Sequence, residues 1–497
     1  MKKINFKNIL LICILLIFSC SDDFIDVQSK DQNSDDYFNS EQDYQDALVA
    51  AYDGLQWTYV NVMLGEIASD NTLCGGESAT DVIGFQEIDD MIHTPNNSNL
   101  RDIWDWMYGA VNRANFILEF QDKIDFPNKN NVIAQARFLR AYYYFELVKW
   151  FGDVPMAIDK RIQFGDQFNI DRTPKAEVYA QIEQDLIYAT ANLPYVQNEA
   201  GRVTKGAAQA LLGKAYLYQD KFAEAAEVLE DVINNGPYDL VMATRNVEGL
   251  TIFPIFENDD ENNVESVFEI QYTDKEGAGF GCLQCSEGNV AVGFNGIRNY
   301  TGPVFDSGFS FNVPTQEMVD EFEDDDTIRK NTAILDINAW AETTGATFGT
   351  GYEHTGYFNR KYIARKGDLN TGDANLTNPN NYRAIRFADV LLMAAEALNR
   401  GGISDTRAQG YLNRVRRRAF GDTNHDVTAT GTDLTNAIYH ERRVELVGEG
   451  HRFFDLVRTG RAAQEIDGFT AGKNEVFPIP LIEIQLAGNR WTQNPGY

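Results

Sequence analysis

The chain has 497 residues, 43% of them apolar and 12% aromatic, and 74 acidic against 43 basic side chains give it a net charge of −31. This composition belongs to a packed globular body rather than a disordered chain, and the length allows one large domain or two to three ordinary ones. So acidic a surface repels phosphate backbones and excludes nucleic acid as a natural partner, and it disfavours strongly anionic ligands unless a local basic patch overrides the field.

Lys2, Lys3 and Lys7 form a basic start, and the apolar run Ile9–Phe18 follows. The run has the length of a signal-peptide core and falls short of the ~20 residues that span a bilayer. It ends in Ile17-Phe18-Ser19-Cys20, which resembles a bacterial lipobox: apolar, any residue, small, cysteine. The expectation is a signal peptide over 1–19, cleavage before Cys20 and lipidation of the Cys20 thiol, leaving 20–497 as a single body. Acyl chains contribute about 0.8 kcal/mol per buried CH₂, enough to hold such a protein on a membrane. Ordinary secretion with a chance cysteine is the plainer alternative. Cys13 leaves with the leader, and Cys74, Cys282 and Cys285 are too few for a disulfide framework.

Helical spacing of Tyr44, Leu48, Ala51, Tyr52 and Leu55 predicts a first helix over 40–56. Helices over 103–120 and 132–151 follow, the second stopped by Gly152 and Pro155. Thr173-Pro174 reads as a cap and first turn of a helix running to about Leu193. Leu212-Gly213, Tyr216, Ala225, Leu229 and Pro237 then match the spacings of a tetratricopeptide (TPR) repeat, with Gln209 where the usual tryptophan stands. Looser helices are expected over 387–399, 406–419 and from 438. One such pair cannot bury its apolar face alone, so the units should stack. The predicted fold is mainly α: a TPR-like helical-repeat scaffold over about 40–240 and 385–450, with a long loop-rich insertion over about 246–380. In the insertion glycines cluster, helical periodicity fades, and Val267–Tyr272 alternates like a short strand. Long irregular segments in a compact body are usually functional.

Several pieces in order resemble the SusD/RagB-like outer-membrane lipoproteins. They are Tyr37-Phe38-Asn39, Ala51-Tyr52-Asp53-Gly54-Leu55, Ala136–Phe145 leading to Phe151-Gly152-Asp153-Val154-Pro155, Leu391–Asn399, Glu441–Leu446, Glu449–Arg458, Pro478-Ile479-Pro480 and Gln493–Tyr497. Ser21-Asp22-Asp23 after the lipobox resembles the surface-export tag of such lipoproteins in the Bacteroidetes group. The resemblance implies a glycan-binding face on a TPR-type scaffold and a lipid-anchored place on the outer-membrane surface. It also implies a partner, a SusC-like TonB-dependent transporter that takes up the polysaccharide or oligosaccharide. No catalysis, cofactor or metal is implied. The alternatives are a surface glycoside hydrolase and a structural lid or peptide-capturing subunit.

The residues themselves point the same way. Glu441, Glu445 and Glu449 share a helix face, but Arg442, Arg443, Arg452 and Arg458 lie close by, so structural ion pairs are expected rather than a glycosidase pair. The histidines, His93, His354, His425, His440 and His451, form no HExxH, and no GxSxG or Walker loop occurs. Gly277-x-Gly279-x-Gly281 is a loop pattern, Asp324-Asp325-Asp326 reads as a solvated turn, and Cys282-x-x-Cys285 as a loop disulfide or idle thiols. A pyranose needs an aromatic face for its C–H side and planar amides or carboxylates for its hydroxyls. Candidates are Trp57, Asp70 and Asn71 after the first helix, and Tyr300, Trp340 and Tyr352 in the insertion, with Phe305 and Tyr357 in reserve. The family's ligand residues vary and no fixed motif carries over. Core packing or turn capping is the plainer role of each candidate.

Overall fold

The computed structural model describes residues 36–277, 279–366, 371, 373 and 375–497, so the leader and Cys20 lie outside the described residues. Helix α1 (Glu41–Asp53) opens with a capping box: the Ser40 hydroxyl accepts from the Asp43 N–H, and the Asp43 carboxylate accepts from the Ser40 N–H at 2.8 Å. Helices α2 (Ser98–Glu119), α3 (Lys129–Phe151), α4 (Lys175–Asn192), α5 (Lys205–Leu217) and α6 (Phe222–Asn235) follow, each packed on the one before. Beyond the insertion, α7 (Phe387–Arg400) lies directly against α6, and α8 (Asp405–Phe420) and α9 (Gly431–Leu446) complete the stack. The architecture is therefore a TPR-like helical stack from which the irregular segment loops out between α6 and α7.

Each neighbour buries the face that one pair cannot. Helix α3 is covered on almost all sides, with Tyr143 and Tyr144 at 0% exposure. At the α5–α6 crossing, a Cβ on Gly213 would stand 2.5 Å from the Leu229 side chain, so only glycine allows the approach. Helix α3 ends at Gly152 with φ +73, as its sequence predicts. The start of α4 differs by one step: Thr173 is drawn into a bridge with Val154, Pro174 takes the capping position, and the Asp153 carboxylate accepts from the Lys175 N–H at 2.8 Å. The cap thus comes from another segment.

The insertion carries more regular structure than its sequence predicts. Strand β1 (Ser266–Ile270) pairs antiparallel with β2 (Tyr382–Arg386), Tyr382 opposite Ile270, tying its start to the residues leading into α7. Short helices form at Gln316–Asp320, Thr327–Ala333 and Ile337–Thr344 around two small cores of their own. Of the predicted solvated turn, Asp324 and Asp325 are exposed, but Asp326 is buried and accepts from Arg329 Nε at 2.6 Å.

Candidate functional site

Three segments converge on one face of the insertion: the loop after the first helices (73–82), residues 295–311, and the glycine-rich turn 345–356. Backbone bonds lace them together, the Gly76 N–H donating to Ser310, the Tyr352 N–H to Gly76 and the Gly349 N–H to Arg298. The approach demands small residues, since a Cβ on Gly75 would lie 2.1 Å from the Ser310 carbonyl oxygen. Arg298 stands at the centre. Its Nη2 donates to the Phe309 carbonyl at 3.0 Å and lies 3.8 Å from the Asp81 carboxylate, while its buried Nε has no hydrogen-bond partner. Phe280, 58% exposed, packs its ring 5.6 Å from that of Phe309. Asn299, Glu77 and Ser78 are exposed around this centre, and Tyr352 is half-buried beside it.

The electrostatics are acidic and tunable. A hydrogen bond with Glu353 raises the Tyr352 hydroxyl above its ordinary pKa. Asp89, which accepts from the Cys74 N–H at 2.9 Å, is pushed up to about 7 by burial and by the charges of Asp90 and Glu353.

A loop closed by the Cys282–Cys285 disulfide joins this centre to a second aromatic patch. The Gln284 carbonyl accepts from Trp57 Nε1 at 3.1 Å, and the Trp57 ring lies 6.4 Å from that of the half-exposed Trp106. The face offers rings, a guanidinium, carboxylates and an amide. Those groups can stack on a sugar ring and pair its hydroxyls without transforming it.

The six candidates from sequence fall differently from the expectation of exposed neighbours on loops. Tyr352 alone is on this face with a partly open ring. Trp57 is 6% exposed and supports the face from behind. Trp340 lies on the helix Ile337–Thr344, 3% exposed, and its Nε1 donates to the Tyr300 hydroxyl at 2.8 Å. Both rings pack on Phe305 in one of the small cores, and Trp340 gives only an edge to a cleft of about 350 Å³ shared with Tyr357. The helix, capped by Asp336, provides the apolar face that the sequence seemed to deny this tryptophan. Asp70 accepts from Arg452 Nε at 2.7 Å and pairs with Arg443 at 3.0 Å. Asn71 is fully buried and accepts from Arg443 Nε at 3.0 Å. Phe280, Phe309, Arg298, Asp81 and Trp106 escaped notice in the sequence. Phe280 and Phe309 belong to the segment marked there as loop, and their standing as lone aromatics among glycines was the available signal.

The acidic triplet is structural, and it does not share one helix face: Glu441 and Glu445 lie on α9, but the helix ends at Leu446 and Glu449 stands in the turn beyond it. Glu441 accepts from Arg416 at 2.8 Å, Glu445 from Arg418 at 2.5 Å and Arg386 at 3.1 Å, and Glu449 from Lys361 at 2.6 Å. Burial alone would raise the Glu445 pKa, but Arg418, Arg386 and Arg329 hold it far below the carboxylate range. A group so fixed in its charged form and closed to solvent has no route to a substrate. Among the described residues no three His, Cys, Asp or Glu side chains gather into a metal-binding cluster, and no helix is long and apolar enough to cross a membrane.

Fold and face together define a helical-repeat binding protein whose insertion presents an open aromatic surface. Two family models match the chain, "SusD family" over residues 336–497 and "Starch-binding associating with outer membrane" over 23–217. A solved laminarin-binding SusD-like protein is 35% identical, with 93% of this chain and 100% of that chain covered and a TM-score of 0.82. Surface glycan-binding protein A from Bacteroides thetaiotaomicron, solved with laminarihexaose, is 26% identical over 91% of this chain and 99% of its own, with a TM-score of 0.78. SusD-like protein P2 of Formosa agariphila is 29% identical over 441 residues, 83% of each chain. The chain belongs to the SusD family. These solved relatives are named as binding proteins rather than as enzymes.

Proposed function

We propose that this protein is a cell-surface lipoprotein of the outer membrane, anchored through Cys20, that binds an oligo- or polysaccharide and passes it to a SusC-like TonB-dependent transporter. The observation that carries the reading is the face itself: Phe280, Phe309 and Tyr352 around Arg298, Asp81 and Asn299, on a chain alike over 93% of its length to a laminarin-binding relative. A laminarin-type glucan is the ligand we favour. It is neutral, so a chain of net charge −31 does not repel it. Of the six candidates from sequence, Tyr352 contacts the sugar in this reading. Trp57 supports the disulfide loop, and Asp70, Asn71, Tyr300 and Trp340 hold the surrounding structure.

Calorimetry on the mature protein with laminarin and laminarihexaose, and with starch as comparator, tests it. Sites that hand their ligand onward bind in the micromolar to millimolar range, about −8 to −4 kcal/mol. Absence of binding to any glycan on an array overturns the reading in favour of a structural lid. Release of reducing sugar that survives purification and disappears in Glu445→Gln restores the hydrolase alternative. Cys20→Ala releases the protein from the outer-membrane fraction if the anchor is as proposed.

A further inference from the structure

The aromatic face leans on a loop whose chemistry it does not use, residues 279–285, closed by the Cys282–Cys285 disulfide. A Cβ on Gly279 or Gly281 would meet nothing within 4 Å, so no neighbour packs against the backbone there. Within the loop the Cys282 N–H donates to the Gly279 carbonyl at 3.0 Å and the Cys285 N–H to the Cys282 carbonyl at 3.2 Å. Among the described residues, one hydrogen bond fastens 279–285 to a distant segment, from Trp57 Nε1 to the Gln284 carbonyl at 3.1 Å. Leu283 packs on the main core, and the ring of Phe280 rests on that of Phe309.

The disulfide therefore constrains the groups that the site depends on. Phe280 stands just before Cys282 in sequence, and Gln284 lies inside the covalent ring. The bond closes the short helical turn Leu283–Cys285, and that turn aims the Gln284 carbonyl at Trp57, whose ring lies 6.4 Å from that of Trp106. Once it opens, a glycine-rich chain with few fastenings is all that joins the two aromatic patches through this loop. The sulfurs can also be reached. Cys285 is exposed and Cys282 half-buried, whereas Cys74 is fully buried. Exposed disulfides are the ones that exchange with thiols. Burial raises the pKa of the Cys74 thiol and so withholds its thiolate from such exchange.

We propose that the Cys282–Cys285 disulfide positions the glycan face and switches it: a small dithiol reduces the bond, the loop lets go of Phe280 and Trp57, and affinity for the glucan falls. The step balances in atoms and electrons. A thiolate of the dithiol attacks the exposed Cys285 sulfur, the S–S bond breaks, and the Cys282 sulfur leaves as a thiolate that takes up a proton. The second sulfur of the dithiol then attacks the mixed disulfide and releases Cys285 as the other thiol. The protein gains two electrons and two protons, and the dithiol ends as its own cyclic disulfide. The inference rests on the reading of the face around Arg298 as the sugar site.

The test compares the mature protein oxidised, reduced with dithiothreitol and re-oxidised, by calorimetry with laminarihexaose. Reduction should lower the affinity by roughly two- to ten-fold, the share that one stacked ring carries, and re-oxidation should restore it. The melting temperature should move by at most about 2 °C, because so short a ring constrains little chain entropy in so large a body. Cys282→Ser with Cys285→Ser should bind as the reduced protein does and ignore dithiothreitol, while Cys74→Ser should respond as wild type does. In Phe280→Ala, reduction should cost little more, because the ring it positions is already gone. Deuterium exchange at the Trp57 indole N–H, read by NMR, should quicken on reduction with or without sugar. Equal affinity of the oxidised and reduced protein overturns the proposal. So does a loss that re-oxidation leaves in place, or one as large in Phe280→Ala as in wild type. An oxidised protein that binds no glucan sinks the sugar reading by itself, and unchanged Trp57 exchange would then sink the positioning role as well.

Discussion

The scaffold and the insertion are held together by different means. Along α1–α6 each helix buries its face against a neighbour a few tens of residues away, and side-chain volume decides the fit, as at Gly213 and Leu229. The insertion is pinned by polar bonds across great sequence distances. Asn312 Nδ2 donates to the Val62 carbonyl at 3.0 Å, Lys361 Nζ to Glu449 at 2.6 Å, and Arg365 Nε to Glu257 at 2.9 Å. Arg386, at the junction of β2 and α7, meets Glu265, Glu445 and Glu449 and so ties the insertion to the scaffold. Rigid loops that carry function need this second kind of fastening, because they lack a periodic apolar face of their own.

Breaking the junction has the largest expected effect. Arg386→Leu leaves three buried carboxylates short of a cation and should cost about 3–5 kcal/mol. Because the network spans both regions, one unfolding transition should move as a whole in calorimetry; two separated transitions would show that the insertion folds independently. The exposed pair of Arg407 with Glu230 is the control, with about 0–1 kcal/mol expected for Arg407→Ala.

Acid probes the scaffold next. His93 is buried, its Nε2 2.8 Å from the Tyr497 hydroxyl, and burial, aided by Lys473, lowers its pKa to about 4. A base with a depressed folded pKa binds fewer protons folded than unfolded, so its stability contribution is complete above about pH 6.5 and declines as pH falls toward about 4. The loss should approach about 3 kcal/mol. Melting temperatures of wild type and His93→Gln should converge over that window, and parallel curves would refute the assignment. Gly213→Leu follows, at about 1–3 kcal/mol from overpacking against Leu229, read as a shift in melting temperature with glycan affinity unchanged.

The same contrast decides what the sequence disclosed. Periodic apolar residues, Ser40 and Gly152 act within a few residues, so helices and ends could be read directly. Trp340 could not be placed, because its helix is completed by a core shared with Tyr300 and Phe305, some forty residues away. Asp70 and Asn71 looked like sugar ligands for want of a view of Arg443 and Arg452, nearly four hundred residues on. Chemistry chose plausible residue types, and tertiary contacts decided which remained open to solvent.

The smallest effect on stability, and the sharpest on function, is expected at Phe280. Its ring is 58% exposed and touches mainly Phe309, so little packing is lost on truncation. Phe280→Ala should leave the melting temperature within error of wild type. A stacked sugar ring, by contrast, loses its apolar platform, an interaction worth about 0.5–1.5 kcal/mol beyond the area it covers. For a ligand bound at only micromolar to millimolar strength, that loss should lower laminarin affinity by roughly two- to ten-fold. Trp340→Ala is the matched opposite: removing a buried ring should cost about 3–5 kcal/mol and disturb binding only through the fold. If Trp340→Ala instead keeps its melting temperature and loses the glycan, the ligand lies at the cleft beside Tyr357, and the face around Arg298 is a structural surface.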